Sequence, residues 1–477
     1  MKSSFLLLVI LSFLFNFTSV VRAEDPILTK YSTQLVDEGC LSEDLINEIK
    51  SDFEFTFDDE LKDFKLEVCD VKHITNRILR GLVLLKYGQF SKSTKSKDQV
   101  FSDSFSDIHP YEFLKNRIKK IHFVKECTKG VGAYVRSKEN KFSVCVNSYE
   151  KYFSEAWFAA TYASMAIHES RHADKDDLGH YTCEHGSQKG ASGGCDESVE
   201  QKGAYFYGTE YSAYVSKFGK NFHPAMRAES RSQAITYIIN KFNKVPKVDS
   251  ANYVVTRNSI GKLGMITADY KYKEINQVLS GKIFPRIDGN IMIFDQQKKE
   301  FRGWSIYDGF VKPDGSYAID YNLNIENRSD VTDYISDSSW GTNVGAMIFE
   351  NSLRYYFGTL KIEGTVNLPF SVSNARILKP VLCRGPEDSL YVLKDHETVY
   401  EGSLDENKKI QFKKAENCQT NILNVTDLSG RIVALSEDGV IGEFKNKTFE
   451  PIKSLANEKF DFLGEAFNLL DFFNKYR

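Results

Sequence analysis

A series of short apolar runs in the second half of the chain most constrains its fold. From about residue 251, β-branched and aromatic runs alternate with polar turn sequences. The runs are LGMIT at 263–267, NIMIF at 290–294, GAMIF at 345–349, LYVL at 390–393 and IVAL at 432–435. The last three begin 45 and 42 residues apart, a period typical of propeller blades, whereas the earlier intervals of 27 and 55 residues are irregular. We therefore predict an all-β domain over 251–455, either a degenerate β-propeller or a β-sandwich.

The first half of the chain mixes helical and strand patterns. Two β-rich runs flank a polar turn within 131–147, which predicts a β-hairpin. Apolar residues at helical spacing predict helices over 75–89, 110–124, 154–174, 196–218 and 231–242. We expect an N-terminal mixed α/β region over 24–125 and a second unit over 126–246. The Phe and Leu spacing near the end predicts an amphipathic helix within 456–477 that packs on the protein.

The first 23 residues have the pattern of a secretory signal peptide. Lys2 is followed by an apolar run from Phe5 to Phe15, and Val21 and Ala23 provide the small residues of a cleavage site. The run is short for a membrane span, and no later run approaches that length. We therefore expect a secreted or periplasmic protein with no stable membrane insertion.

The charge balance argues against a nucleic-acid partner. The 477 residues include 65 acidic and 62 basic ones, for a net charge of -3. Such a chain has no strong basic footprint for nucleic acid or for an acidic membrane surface.

The cysteines predict disulfide bonds. An even count of eight, all after the signal, is typical of a chain that folds in an oxidising compartment. Sequential pairing is the simplest arrangement, although a thiolate metal site is the alternative, which the lack of any CxxC pair disfavours. The predicted pairs are Cys40–Cys69, Cys127–Cys145, Cys183–Cys195 and Cys383–Cys418.

The motif His168-Glu169-Ser170-Arg171-His172 has the form HExxH. On a helix, positions i and i+4 share one face, so both imidazoles can reach one metal ion. Glu169 lies about 100 degrees around the helix from His168 and would sit beside the ion, where a carboxylate can take a proton from water. This arrangement predicts a catalytic metal site, with a structural site as the alternative.

Around this motif the chain resembles the zincin metallopeptidases over about residues 125–215. The resemblance implies an α+β, zincin-like catalytic domain over 126–246. It implies zinc as the cofactor, His168 and His172 as ligands, Glu169 as general base, and a protein or peptide as substrate. Zincins also have an edge strand beside the active-site helix, and the predicted hairpin stands at the corresponding place in the sequence. The charged Arg171 inside the motif departs from the usual pattern, with Glu155, Asp174 or a C-terminal carboxylate as possible partners.

The third metal ligand stays open in the sequence. The metzincin spacing would require a histidine at position 178, which is Leu178. His180 is favoured because imidazole is a common zinc ligand and the intervening turn is short. Asp196 and Glu200 are the main alternatives. A Cys183–Cys195 bridge would hold His180 and Asp196 near the helix.

Two functions from different classes follow from these patterns. The favoured one is an exported zinc metallopeptidase that hydrolyses peptide bonds with a metal-activated water, followed by a β domain that binds a surface or partner protein. The alternative is a secreted binding protein with a structural or degenerate metal site and a propeller-like interaction domain.

Overall fold

The structure is a computed structural model with an α+β part and a part made of small antiparallel sheets. It describes residues 40–71, 73–90, 108–127, 132–147, 159–177, 179–184, 190–220, 222, 224–244, 253–285, 290–295, 300–305, 309–311, 331–335, 344–349, 351–357, 362–371, 375–383, 389–445 and 448–464. The predicted signal peptide at 1–23 lies outside these ranges. No helix within them has the length and apolar content needed to cross a bilayer.

The α+β part contains helices α1–α6 and strands β1–β4. The helices are α1 Glu43–Asp52, α2 Ile74–Tyr87, α3 Pro110–Arg117, α4 Ala159–Arg171, α5 Ala204–Phe218 and α6 Pro224–Asn240. The strands are β1 Glu54–Phe57, β2 Lys120–Val124, β3 Ala133–Arg136 and β4 Lys141–Cys145. They form one sheet in the order β1-β2-β4-β3, in which β3 alone is antiparallel to its neighbour. The predicted hairpin is therefore the β3–β4 pair, and α4 packs against both of its strands.

One hydrophobic core unites this part of the chain. Its buried side chains run from Leu41, before α1, to Phe242, after α6. Strands from both sides of residue 125 also share the sheet, since β2 pairs with β4. The segments 24–125 and 126–246 therefore share one core and one sheet among the described residues.

Two predicted helices are shorter in the structure. The prediction over 110–124 is wrong at its C-terminal end, since α3 stops at Arg117 and Lys120–Val124 is strand β2. The β-branched and aromatic residues of KIHFV favour pairing in the central sheet. Likewise, the prediction over 196–218 is wrong before Ala204, where a short 3₁₀ turn, Val199–Gln201, and Gly203 precede α5.

Twenty strands follow in five four-stranded antiparallel sheets within the described residues. The first sheet contains β5 Tyr253–Asn258, β6 Lys262–Thr267, β7 Tyr272–Val278 and β24 Phe460–Gly464. The next two contain β8 Lys282–Pro285, β9 Asn290–Asp295, β10 Glu300–Ser305, β11 Gly309–Val311, and then β12 Val331–Ile335, β13 Val344–Phe349, β14 Ser352–Phe357, β15 Ile362–Asn367. The last two contain β16 Arg376–Leu378, β17 Leu390–Lys394, β18 Thr398–Leu404, β19 Ile410–Ala415, and then β20 Ile422–Leu428, β21 Arg431–Ser436, β22 Ile441–Lys445, β23 Thr448–Pro451.

The sheets have a propeller-like, circular arrangement. Each of five hydrophobic clusters joins two successive sheets, and one of them joins the fifth sheet back to the first through residues such as Leu435 and Val254. Four of the five apolar runs in the sequence are the second strands of their sheets, β9, β13, β17 and β21, while LGMIT lies in β6. Such inner strands are covered on both faces, which explains their apolar character.

The end of the described chain completes the first sheet. Strand β24 pairs antiparallel with β5, and Arg257 forms an ion pair with Asp461 across that pairing. The predicted C-terminal helix over 456–477 is therefore wrong for Phe460–Gly464, while 465–477 lie outside the described residues. Pairing with β5 satisfies the backbone of this segment and buries Phe460, Phe462 and Leu463.

Side chains also connect each sheet to the next by hydrogen bonds to the backbone. Arg257 Nη1 donates to the carbonyl of Gly281, and Lys282 Nζ donates to that of Val331. The remaining three connections are Ile377 N to Asp333 Oδ2, Lys379 Nζ to the Val425 carbonyl and Asn424 Nδ2 to the Leu463 carbonyl. All five junctions therefore combine apolar packing with a polar contact.

Asp333 should make the stability of the β domain depend on pH. Burial raises the pKa of its carboxyl group from 3.8 to about 6, against the hydrogen bonds from Ile377 N and Tyr334 N. The folded state therefore keeps the proton that the unfolded chain releases, so the stabilisation present below about pH 4 is lost as pH rises through 6. We expect a loss on the order of 1–3 kcal/mol.

Urea midpoints at pH 4 and pH 7 would measure this effect. The difference between the two midpoints should shrink in Asp333→Asn and stay unchanged in the control Asp395→Asn, an exposed carboxylate. If Asp333→Asn showed the same difference between the two midpoints as the wild type, the pH effect would not come from Asp333.

The four predicted disulfide bonds are confirmed. Their pairing is sequential and leaves no free cysteine, since all eight lie within the described ranges. The bonds are Cys40–Cys69, Cys127–Cys145, Cys183–Cys195 and Cys383–Cys418. Disulfide bonds of this kind persist in oxidising compartments.

Candidate metal centre

Three imidazoles converge beside helix α4. His168 lies in the last turn of α4, His172 directly follows the last residue of that helix, and His180 follows in the next loop. The Nε2 atom of His180 is 3.1 Å from that of His168 and 3.1 Å from that of His172. One atom from each ring lies within 4.8 Å of the others, so a single metal ion could accept all three. The structure thus brings His180, rather than Asp196 or Glu200, into the group.

The other side of each imidazole is fixed by a hydrogen bond. Nδ1 of His172 is 2.7 Å from Oδ2 of Asp177, and Nδ1 of His180 is 3.0 Å from Oδ1 of Asp196. His168 hydrogen-bonds to the backbone of Ala204. Protein metal sites commonly orient their histidines in this way, because the second nitrogen sets the tautomer that leaves Nε2 free.

The two alternative ligands occupy different places. Asp196 is buried and supports His180, while its Oδ2 atom accepts a hydrogen bond from Phe206 N. A Cβ atom at Gly203 would lie 2.5 Å from that carboxylate oxygen, so the absence of a side chain there makes room for Asp196. Glu200 is exposed in the 3₁₀ turn. Asp196 is therefore placed to orient a ligand, and Glu200 lies apart from the group.

Glu169 is buried beside the three histidines. Its Oε2 atom has no hydrogen-bond partner among the described residues. Burial raises the pKa of its carboxyl group to about 7, against the attraction of His172, and Asp177 adds to the rise. A buried oxygen without a partner normally indicates a missing water, ion or substrate group, so this oxygen is available to act on a bound water.

The charged groups around the three imidazoles favour binding of a divalent cation. The carboxylates of Glu169, Asp177 and Asp196 surround the imidazoles, and the nearby ammonium of Lys241 offsets one of them. Burial, together with the neighbouring His180 and His172, holds the pKa of His168 well below its usual value, which keeps this ring neutral. Against burial, the carboxylates of Asp177 and Glu169 raise the pKa of His172. This excess of carboxylate charge around the imidazoles suits a bound dication.

Arg171 holds the turn that follows α4 through three hydrogen bonds. Its Nη1 atom donates to Asp174 at 3.1 Å and to Asp176 at 2.6 Å, and its Nε donates to the Lys202 carbonyl at 3.1 Å. Of the partners considered from the sequence, Asp174 is the one observed, whereas Glu155 lies outside the described residues. The clamped turn leads directly to Asp177, so Arg171 supports the partner of His172.

The Cys183–Cys195 bond closes a loop that His180 and Asp196 flank on either side. Next to this bond Tyr181 pairs with Cys195, with Tyr181 N donating to the Cys195 carbonyl at 2.7 Å. His180 and Asp196 directly precede and follow that pair, which brings their side chains together. The segment after α6 supports the loop, since Asp196 N donates to the Lys241 carbonyl at 2.9 Å.

Loss of this disulfide should weaken metal binding. A bond between residues 12 apart restricts the unfolded loop by about 3 kcal/mol, part of which the metal would otherwise have to supply. We expect a Cys183→Ser, Cys195→Ser double variant to bind zinc about tenfold more weakly in a chelator competition. The matched control, Cys383→Ser with Cys418→Ser, removes a bond from the β domain and should leave the affinity unchanged. Equal affinity in both double variants would contradict the clamp.

Two further side chains border the group. Among the tyrosines of α5, Tyr205 packs on the imidazoles, with ring centroids 4.4 Å from His168 and 4.7 Å from His180. Tyr207 stacks on Phe113, and Tyr211 lies in the core. The second side chain is Lys241, for which no sequence pattern is a signal, since it belongs to no motif and lies 45 residues after Asp196.

Comparisons with known proteins add no function. No protein-family model and no curated protein matches the chain. Among solved structures, it is similar to a functionally unknown protein from Desulfotomaculum acetoxidans, at 11% identity and a TM-score of 0.23, over 46% of this chain and 68% of that one. It is also similar to PorZ, a surface component of the type-IX secretion system of Porphyromonas gingivalis, at 11% identity and a TM-score of 0.18, over 43% of this chain and 28% of that one. Scores this low support no inference.

Proposed function

We propose that this chain is an exported zinc-dependent metallopeptidase. The observation that carries the proposal is the convergence of His168, His172 and His180 beside a buried Glu169 that has an unpartnered oxygen. Three protein ligands are the number that catalytic zinc sites use, whereas structural sites usually close with four. Within the described residues no fourth histidine, cysteine or carboxylate joins the group.

The side chains suit hydrolysis of an amide bond. A bound zinc ion would polarise the scissile carbonyl and make a water more acidic. Glu169 would orient that water through its free oxygen, accept its proton and deliver the proton to the leaving amine. Asp177 and Asp196 would hold His172 and His180 in their ligand orientations throughout.

The neighbouring sheet suits a peptide substrate. Strand β3 is at the edge of its sheet, pairs with β4 on one side and lies beside α4. An extended peptide can add to such an edge through backbone hydrogen bonds. The zincin resemblance implies the same use of the edge strand, so we propose a protein or peptide substrate that binds along β3.

The β domain and the route of export complete the proposal. Its propeller-like sheets offer loops and edges for binding a surface or a partner protein. The disulfide bonds suit a protein that the N-terminal signal pattern sends out of the cytoplasm.

Metal content and hydrolysis together test the proposal. Purified protein should contain about one zinc per chain and should cleave unfolded casein. A chelator should stop the cleavage, and added zinc should restore it. Protein that retains zinc but cleaves neither casein nor a peptide library would overturn the peptidase proposal. It would favour the second candidate, a secreted binding protein whose propeller-like domain carries the function. A parallel assay on purified peptidoglycan would reveal an amidase that acts on cell-wall crosslinks.

A further inference from the structure

Lys241 is a half-buried cation that the proposed chemistry does not use. It follows α6 directly, and its Nζ atom donates to the Gly194 carbonyl and to the hydroxyl of Tyr205, each at 3.2 Å. No carboxylate among the described residues lies within ion-pair distance of this ammonium. Burying an ammonium without such a partner is unfavourable, and burial lowers its pKa accordingly. The unfavourable placement of the Lys241 ammonium therefore needs an explanation other than packing of the core.

Tyr205 links Lys241 to the imidazoles. The ammonium lies 4.6 Å from the centroid of the Tyr205 ring, and the same ring contacts His168 and His180. The edge of a neighbouring ring packs well against the face of an aromatic one, which restrains both. Fixing the Tyr205 ring therefore restricts the rotation of two of the three candidate ligands.

Lys241 also contacts the segment that carries Asp196, through both its backbone and its side chain. Its carbonyl accepts the hydrogen bond from Asp196 N, and its Nζ holds the carbonyl of Gly194, two residues earlier. The loop end that carries Asp196 is thus attached to Lys241 at two points. Asp196 in turn supports His180.

We propose that Lys241 is a positioning residue of the metal centre, which acts through Tyr205 and the 194–196 segment to hold His168 and His180 in ligand geometry. This inference rests on metal binding by the three histidines and is independent of whether the protein hydrolyses peptides.

Cobalt binding tests the role directly. Co²⁺ can replace Zn²⁺, and its visible absorption reports the geometry of its ligands. Lys241→Met keeps most of the unbranched apolar stem and removes both side-chain hydrogen bonds, so we expect about tenfold weaker Co²⁺ binding and a changed spectrum. Lys241→Arg should restore part of both, because it can still donate to Tyr205. Lys244→Met is the control, since this lysine is exposed and pairs only with Glu197 among the described residues; it should match wild type.

The outcomes separate the alternatives. A Lys241→Met protein with wild-type affinity and spectrum would overturn the proposal, even if its melting temperature fell, since a purely structural role lowers stability alone. Should Lys241→Met fail to fold, Tyr205→Phe keeps the ring and removes the hydroxyl that Lys241 holds, and it should show the same spectral change. Wild-type protein that binds no Co²⁺ would overturn both this proposal and the zinc centre, whereas Co²⁺ binding without peptide hydrolysis would overturn the peptidase alone.

Discussion

Glu169→Gln should leave zinc bound and reduce peptide hydrolysis by about 10²–10⁴-fold, the usual contribution of a general base. Glutamine has nearly the same shape and can still hydrogen-bond to a water, but it cannot accept the proton. Because Glu169 is outside the group of three converging nitrogens, the substitution removes no candidate ligand. The measurements are kcat/KM on a fluorogenic peptide and zinc content after extensive dialysis.

A matched glutamate separates this effect from a general loss of charge. Glu200 is exposed and does not belong to the histidine group, so Glu200→Gln should keep both peptide hydrolysis and bound zinc. Activity in Glu169→Gln within a few-fold of wild type would show that another group accepts the proton.

His180→Ala should lower zinc affinity by more than about 100-fold, beyond the 10–100-fold that loss of a supporting side chain usually causes. The substitution removes one of three nitrogens and leaves His168 and His172 as a two-point site. Competition with a chromogenic chelator would measure the affinity. His396→Ala is a suitable control because this histidine is exposed in the β domain.

A second variant distinguishes a ligand from its support. Asp196→Asn keeps the size of the side chain and should fall within the 10–100-fold range, because it weakens only the hydrogen bond to His180 Nδ1. If Asp196→Asn lost more affinity than His180→Ala, Asp196 would be the third ligand after a rearrangement on metal binding.

The local patterns of the sequence predicted much of the structure. The HExxH spacing predicted that His168 and His172 come together, since the 3.6-residue period makes i and i+4 neighbours, and they do so although α4 ends at Arg171, one residue before His172. Sequential cysteine pairing was confirmed for all four bonds. The alternation of apolar runs and turns predicted the β domain because each run fills the centre of a small sheet.

Features that depend on distant contacts could not be predicted. The sequence could not choose among His180, Asp196 and Glu200, since the choice depends on how the loop folds back and pairs with the segment after α6. Lys241 acts from beyond that loop and carries no spacing signal. The spacing at Phe460–Gly464 predicts a helix rather than strand β24, because the partner strand β5 lies about 200 residues earlier, as the separation of 204 between Arg257 and Asp461 shows.

That pairing also bears on the order in which the protein gains its structure. During synthesis the ribosome releases the histidine-bearing half first, and its core closes once residue 242 has emerged. The β domain must instead wait for residues 460–464, and until then β5 presents an unsatisfied edge to the chaperones and translocation machinery around it. We therefore expect the nascent β domain, rather than the histidine-bearing half, to fold last and to be the main source of aggregation when folding is slowed.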